Sequence, residues 1–333
     1  MNEHLLKNNK EVFEKLNIYN WHKEGITGKE VNVAIIGYGG VMKEKKPWLT
    51  NVNTSDDGGS YHDGDELINA VAPDSKIYSI NIFKGGWNFE EALKWILEHD
   101  IDIVCTSIRK TSWCKEEEEI SKKLYERNTI MIDSSDNEGK EDSIAYPAQS
   151  KYWYAVGSYS EFLNGRAGYV SYGKELDILS YTGLAVHADA NRIIPITHTS
   201  GTTQAVSGMV ALLKEAYRID NTNFKQYIKD NSLDLGSNSW DKETGWGLFK
   251  LEEKPNIDKI KPPIKEDLQE QEEGQNILEN TKFKDINNHW AMTNIQKVVD
   301  AGLMNGYEDG TFRPDDYPTR AELATILVRA LKL

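Results

Sequence analysis

The chain has 333 residues, 53 of them acidic against 39 basic, and a formal net charge of −14. This length suits one domain of ordinary size plus a small module, and the acidic balance argues against nucleic acid and anionic membrane surfaces as partners. Two cysteines, Cys105 and Cys114, do not make a disulfide framework; no Cys/His spacing suits a metal, no cofactor is expected, and no apolar run is long enough to span a bilayer.

Residues 1–10 are polar with a helical pattern, and residues 1–19 are taken as an amino-terminal helical segment without the layout of a secretory signal. Short apolar, often β-branched runs follow at residues 33–36, 77–83, 101–105, 129–133 and 153–157. Helix-like segments at residues 90–98 and 116–126 are set between them. Strands alternating with helices predict an α/β fold, a parallel sheet covered on both faces. Ligands on such sheets sit at the carboxyl ends of the strands, where Gly37, Arg109 and Asn137 are expected. Cys105 falls in an apolar strand and is expected to be a buried thiol.

The most informative stretch is residues 198–213, His-Thr-Ser-Gly-Thr-Thr-Gln-Ala-Val-Ser-Gly-Met-Val-Ala-Leu-Leu. A polar Thr/Ser-rich loop delivers a hydroxyl and then enters a helix that is apolar almost all round, the mark of a core helix. A serine at the mouth of such a helix has a rigid mount and faces a positive dipole end, which suits a nucleophile whose product develops negative charge. The simpler account is a Ser/Thr N-cap on an ordinary core helix.

This stretch resembles the nucleophile segment of the subtilisin-like serine proteases, and other patches similar to that family appear in order. They are residues 28–36, Val71-Ala72-Pro73, Ser135-Asp136-Asn137-Glu138-Gly139, Tyr146-Pro147-Ala148, Val170-Ser171-Tyr172-Gly173 and Gly245-Trp246-Gly247-Leu248. The resemblance covers residues 20–250 and implies a subtilisin-like parallel sheet sandwiched between helices. In the gapless register it places the nucleophile at Ser200; a second register, with a three-residue deletion, places it at Thr203. Asn137 matches the amide that helps bind an oxyanion, and is equally suited to an Asx-type turn.

The chemistry implied by the family needs a hydroxyl, an imidazole and an orienting carboxylate. The carboxylate belongs at the end of the first core strand, where this chain has Gly37. Counting back from Val71 without a gap puts the imidazole position at Ser60. A two-residue gap puts it at His62, but would rotate the helix face by about 200°, so Ser60 is preferred; Asp56 or Asp57 could orient a displaced His62. Where family members hold a peptide beside Ser-Leu-Gly, this chain has Ser107-Ile108-Arg109, a bulky cation that narrows the cleft or else points into solvent. Losing the carboxylate alone lowers turnover about 10⁴-fold in serine proteases, roughly 5.5 kcal/mol of barrier. The expectation is therefore a pseudoprotease.

Residues 251–280 form a charged, core-poor linker with Pro255, Pro262 and Pro263. Residues 281–333 resume a folded pattern at Phe283: Lys284-Asp285-Ile286, His289-Trp290-Ala291, Ile295, Val298 and Val299 suggest a helix by their spacing. A turn-rich loop precedes Thr319-Arg320-Ala321-Glu322, a capping box opening a second helix. This part resembles the S-layer homology module and implies a small all-α unit that binds secondary cell-wall polysaccharide, with Trp290, Gly306 and Arg320 as ligand contacts. A ring on a sugar face and Arg on a carboxylate are physically reasonable; a purely structural role for Trp290 and Arg320 is the alternative. One module alone implies weak binding unless avidity is gained. The module implies a cell-wall or extracellular location. With no signal seen, that requires release by lysis, as for a phage product, or non-classical export. Three functions stand: a wall-anchored pseudoprotease binding peptide or protein in its cleft, a weakly active serine endopeptidase using Ser200 and His62, and a non-catalytic structural or adaptor protein.

Overall fold

The computed structural model describes residues 3–37, 49–53, 64–83, 86–189, 192–237, 239–256, 283–286, 292–307, 309–316 and 318–331. The chain divides into two compact units, Met1–Lys261 and Pro262–Leu333.

In the first unit, helices α1 (Glu3–Lys15) and α2 (Ile18–Lys23) precede the sheet. Phe13, Leu16, Ile18 and Trp21 are buried in the same core as the strands, so these helices belong to the domain. Asn9, buried on α1, acts as a surrogate strand: its amide donates to the Ala185 carbonyl at 2.9 Å and its oxygen accepts from the Ala185 N–H at 2.6 Å. Both polar ends of a buried carboxamide are thereby satisfied.

The order then runs β1 (Asn32–Gly37), β2 (Leu49–Asn51), α3 (Gly64–Val71), β3 (Lys76–Asn81), α4 (Phe89–Glu98), β4 (Ile103–Thr106), α5 (Lys115–Glu126), β5 (Ile130–Ser134) and β6 (Trp153–Ser160). It continues with β7 (Gly165–Arg166), β8 (Leu176–Tyr181), β9 (Leu184–Asp189), β10 (Arg192–Ile196), α6 (Thr199–Tyr217), α7 (Asn221–Asn231), β11 (Ser232–Leu233) and β12 (Leu248–Phe249). All five expected strands and both expected helices are present within a few residues of their predicted limits. One sheet runs β11-β12-β8-β6-β5-β4-β1-β3-β2, with β7 paired to β6. The pairs from β2 through β8, and on to β12, are parallel; β6–β7 and β11–β12 are antiparallel. Strands β9 and β10 form a separate antiparallel hairpin.

Successive strand residues point to opposite faces, and both faces are covered. Val33, Ile77, Ile103, Cys105, Ile130 and Ile132 pack with Leu67 and Ile68 of α3 and with Met209 and Leu213 of α6. Ala34, Ile36, Ile80, Val104 and Met131 pack with Leu93 and Ile96 of α4 and with Ile120 and Leu124 of α5. The chain moves from β1 to β3 on one side and returns to β4 on the other, so the strand order reverses at β1. The carboxyl end of that strand is where such a sheet opens a crevice.

The second unit is small. Phe283, Ile286 and Ile295 form its core, with Met292, Val299 and Phe312 against them. Residues 283–286 form a turn rather than the helix their spacing suggests, and helix α8 is described over Met292–Asp300. The reason is Asp285, whose carboxylate accepts from the backbone N–H groups of Phe312 at 2.8 Å and Arg313 at 2.7 Å. A short acidic side chain bonded to distant backbone favours a turn over a helix interior. Helix α9 (Arg320–Leu331) opens on the expected capping box: Thr319 Oγ1 accepts from the Glu322 N–H at 3.2 Å and Glu322 from the Thr319 N–H at 2.7 Å.

Helices α3 and α6 approach closely at Gly208, where an added Cβ would stand 2.6 Å from Val71 Cβ and 3.3 Å from the Ile68 carbonyl. Gly208→Ala gains helix propensity but forces the two helices apart. Overpacking of this kind costs about 1–3 kcal/mol. Urea titration of the variant is expected to show that loss; an unchanged or raised midpoint would mean that the contact is not close.

Candidate active site

Helix α6 is buried along almost its whole length, including Gly201 to Leu213 without a break. Its N-cap, His198, has extended backbone and makes no side-chain cap; its ring lies 5.5 Å from Tyr169. Four N–H groups at a helix start need partners. Here one comes from another loop: the Asn137 carboxamide oxygen accepts from both the N–H and the Oγ1 of Thr199, each at 3.1 Å. That orientation fixes the amide group of Asn137, which is exposed. Its NH₂ end makes no hydrogen bond among the described residues and remains a donor.

The two possible nucleophile positions have different surroundings. Thr203 is fully buried and donates its hydroxyl to the Thr199 carbonyl at 2.8 Å; Thr202 does the same at 2.7 Å. Both hydroxyls are consumed inside the helix. Ser200 is half-buried, has no hydrogen-bond partner among the described residues, and lines a cleft of about 520 Å³. It follows the anchored Thr199 directly, at the positive end of a long buried helix.

Gly37, at the end of β1, lines the same cleft. A Cβ built on Gly37 would meet nothing within 4 Å. The position has room for a carboxyl group and holds none. No Asp or Glu is found among the described residues that line the cleft. Ser60, His62, Asp56 and Asp57 lie outside the described residues. Gln204 also lines the cleft, 6 % exposed, with a buried Oε1 that has no hydrogen-bond partner. It was not among the sequence candidates; the available signal was its place one turn after Ser200 on the same helical face.

Arg109 lines the cleft and is not simply directed into solvent. Its Nη1 donates to Asp136 Oδ2 at 3.0 Å and to the Ser143 carbonyl at 3.2 Å. Asp136 also accepts the Ala145 N–H at 2.9 Å, and its own φ is 73°. Burial raises its carboxyl above the ordinary range, against the pull of the Ala145 N–H and Arg109. Burial, then the charge of Asp136, pushes the Asp133 carboxyl well above that range, while its Oδ2 accepts from the Ala148 N–H at 2.9 Å. Buried Cys105 is a free thiol pushed up to about 12, too high for a reactive thiolate.

Of the three wall-ligand candidates, Trp290 lies outside the described residues. Gly306 is half-buried, and an added Cβ there would fall on the ring of Phe283, so packing alone requires glycine. Arg320 is exposed at the first position of α9 and has no ion pair among the described residues.

The Asn137 bonds have a measurable consequence. Asn137→Ala removes both acceptor contacts to Thr199 and is expected to cost about 1–2 kcal/mol. Asn137→Asp keeps the acceptor and places a negative charge at a helix start, so most of the stability should remain. Equal denaturation midpoints for wild type and Asn137→Ala would show that this loop does not hold the helix.

The subtilase family model matches residues 37–247, and the S-layer homology domain model matches residues 282–324. The minor extracellular protease Epr of Bacillus subtilis (strain 168) is 27 % identical over 259 residues, 68 % of this chain and 39 % of that protein. The thermostable alkaline protease of Halalkalibacterium halodurans is 24 % identical over 249 residues, 67 % of this chain and 68 % of that one. The matched region thus spans about two-fifths of the first relative and about two-thirds of the second. A crystal structure of a lanthipeptide protease superposes with a TM-score of 0.56 at 17 % identity, covering 71 % of this chain and 93 % of its own, a likeness of fold. With more than half its length matched by one family model, and with the sheet and the buried helix in agreement, this chain belongs to the subtilase family and carries an S-layer homology domain after its peptidase-like domain.

Proposed function

We propose that this chain is a wall-associated subtilase-like pseudoprotease, whose cleft binds peptide or protein and whose S-layer homology module attaches to secondary cell-wall polysaccharide. The observation that carries the reading is Gly37, with no carboxylate along the described cleft. A serine hydroxyl is a poor nucleophile until a base takes its proton, and the base works only when a third group fixes its tautomer. Without the orienting carboxylate a serine protease loses about 10⁴-fold in turnover. Without a base as well, only about 10³–10⁴-fold over water remains, from the oxyanion donors and binding. The gapless register, which puts serine at the imidazole position, adds that second loss.

A weakly active serine endopeptidase using Ser200 and His62 is the second reading. It is favoured by the other half of the site: Ser200 lines the cleft at a helix start, and Asn137, whose oxygen holds the neighbouring Thr199, has an NH₂ with no hydrogen bond among the described residues.

A fluorophosphonate probe separates the two. The pseudoprotease reading expects no labelling at concentrations and times that saturate an intact serine protease; labelling that Ser200→Ala abolishes would overturn it. For the module, the full chain is expected to sediment with purified Gram-positive sacculi carrying secondary polysaccharide, and a chain lacking residues 281–333 is expected to stay in solution. Equal sedimentation of both would refute anchoring through the module.

A further inference from the structure

The cleft differs in charge from the rest of the chain. The sequence has 14 more acidic than basic residues, yet the described residues lining the cleft include Arg109 and Lys110 and no acid. The two cations are not equivalent. Lys110 is taken up: its Nζ lies 2.9 Å from Glu117 Oε1, a carboxylate with a side chain only 5 % exposed. Arg109 is only half engaged. Both its hydrogen bonds leave from Nη1, to Asp136 and Ser143. Its Nε and Nη2 make no hydrogen bond among the described residues, and the side chain is 41 % exposed.

A guanidinium has five N–H donors in a planar fork. With Nη1 committed, the side-on edge formed by Nε and Nη2 stays open, and that edge matches the two oxygens of a carboxylate. Its mount is rigid. Lys110 and Tyr146 exchange backbone hydrogen bonds at 2.9 and 3.2 Å, and Trp113 stacks on Tyr146 with ring centroids 5.1 Å apart. The Asp136 carboxylate holds the far side of the fork. An arginine held this way loses little freedom on binding. Gly37 adds to the effect, because a glycine there puts no negative charge among the described lining residues to repel an anionic ligand.

The geometry points to Arg109 as the specificity-determining residue of the cleft, selecting peptide segments that place an Asp or Glu side chain against its Nε–Nη2 edge. This rests on the reading of the cleft as a peptide site and names the class of peptide it takes. Charge-assisted bidentate pairs in a partly buried site discriminate strongly against the amide isostere, by about tenfold or more. Salt weakens such a pair in proportion to its exposure.

The test uses fluorescein-labelled, carboxyl-amidated hexapeptides of alanine with one central Glu, Gln, Lys or Phe, titrated with the full chain and read by anisotropy. The Glu peptide is expected to bind at least tenfold tighter than the Gln peptide, less so at 500 mM salt than at 50 mM. Arg109→Gln is expected to erase the difference. Arg109→Lys, which keeps the charge but not the fork, should retain part of it. Circular dichroism melting confirms that each variant is folded. Equal affinity for the Glu and Gln peptides, with all peptides bound, would overturn the role of Arg109 while leaving the cleft a peptide site. A Glu preference that survives in Arg109→Gln would overturn it as well. No binding of any hexapeptide would overturn the peptide-site reading and the inference with it.

Discussion

The structure depends on one helix held inside the molecule by its first residue. Helix α6 runs through the core against α3 and one face of the sheet, so its polar amino end must find partners within the protein. Asn137, from the loop after β5, supplies them through Thr199. The same two hydrogen bonds set where Ser200 sits relative to the sheet. Packing and site geometry are therefore coupled: the close approach at Gly208 fixes the body of the helix, and Asn137 fixes its mouth. The hydroxyls of Thr202, Thr203 and Ser207 turn back onto helix carbonyls. The buried helix thus carries several hydroxyls without stranding them, and Ser200 is left facing the cleft.

Two parts of this fold supply the two halves of the candidate site. The half built on α6 and the β5 loop has a hydroxyl at a positive helix end and an amide donor held by its own oxygen. The half built on the end of β1 has Gly37 and open space. Oxyanion donors act on charge that develops in the reaction, and they also suit a bound carbonyl in the ground state. On the proposed reading, a cleft with no carboxylate among its described lining residues holds a peptide rather than cutting it. Gln204 does not replace the missing group, because an amide oxygen carries no charge to stabilise an imidazolium.

The sheet was legible because strands covered on both faces read as unbroken apolar runs, as at residues 33–36 and 130–132, and because α4 and α5 show amphipathic patterns between them. Helix α6 was legible from its lack of any polar face. The turn at residues 283–286 was not, because the bonds of Asp285 to Phe312 and Arg313 join residues far apart in sequence. Spacing within a segment carries no trace of such a contact. At the site, Ser200, Gly37 and Asn137 could be singled out one at a time. The bond that couples Asn137 to Thr199, and the pairing of Arg109 with Asp136, are tertiary facts. Arg109 shows the limit most clearly, since the sequence allowed both a cation blocking the cleft and one lost to solvent. The structure gives a third state, anchored by one nitrogen and open along the other edge.

That third state bears on how the cleft would recognise a ligand on the proposed reading. An acid at the end of β1 would place a negative charge in the crevice that Arg109 shares, and any anionic ligand would meet it there. With Gly37 in its place, the electrostatics of the described lining are set by an arginine whose counter-ion lies behind it, in the buried loop at Asp136. Burial raises the proton affinity of Asp136, and the backbone N–H of Ala145 and the guanidinium draw it down. On the proposed reading, a cleft arranged in this way is suited to recognition rather than to proton transfer, and Gly37 and Arg109 both line it.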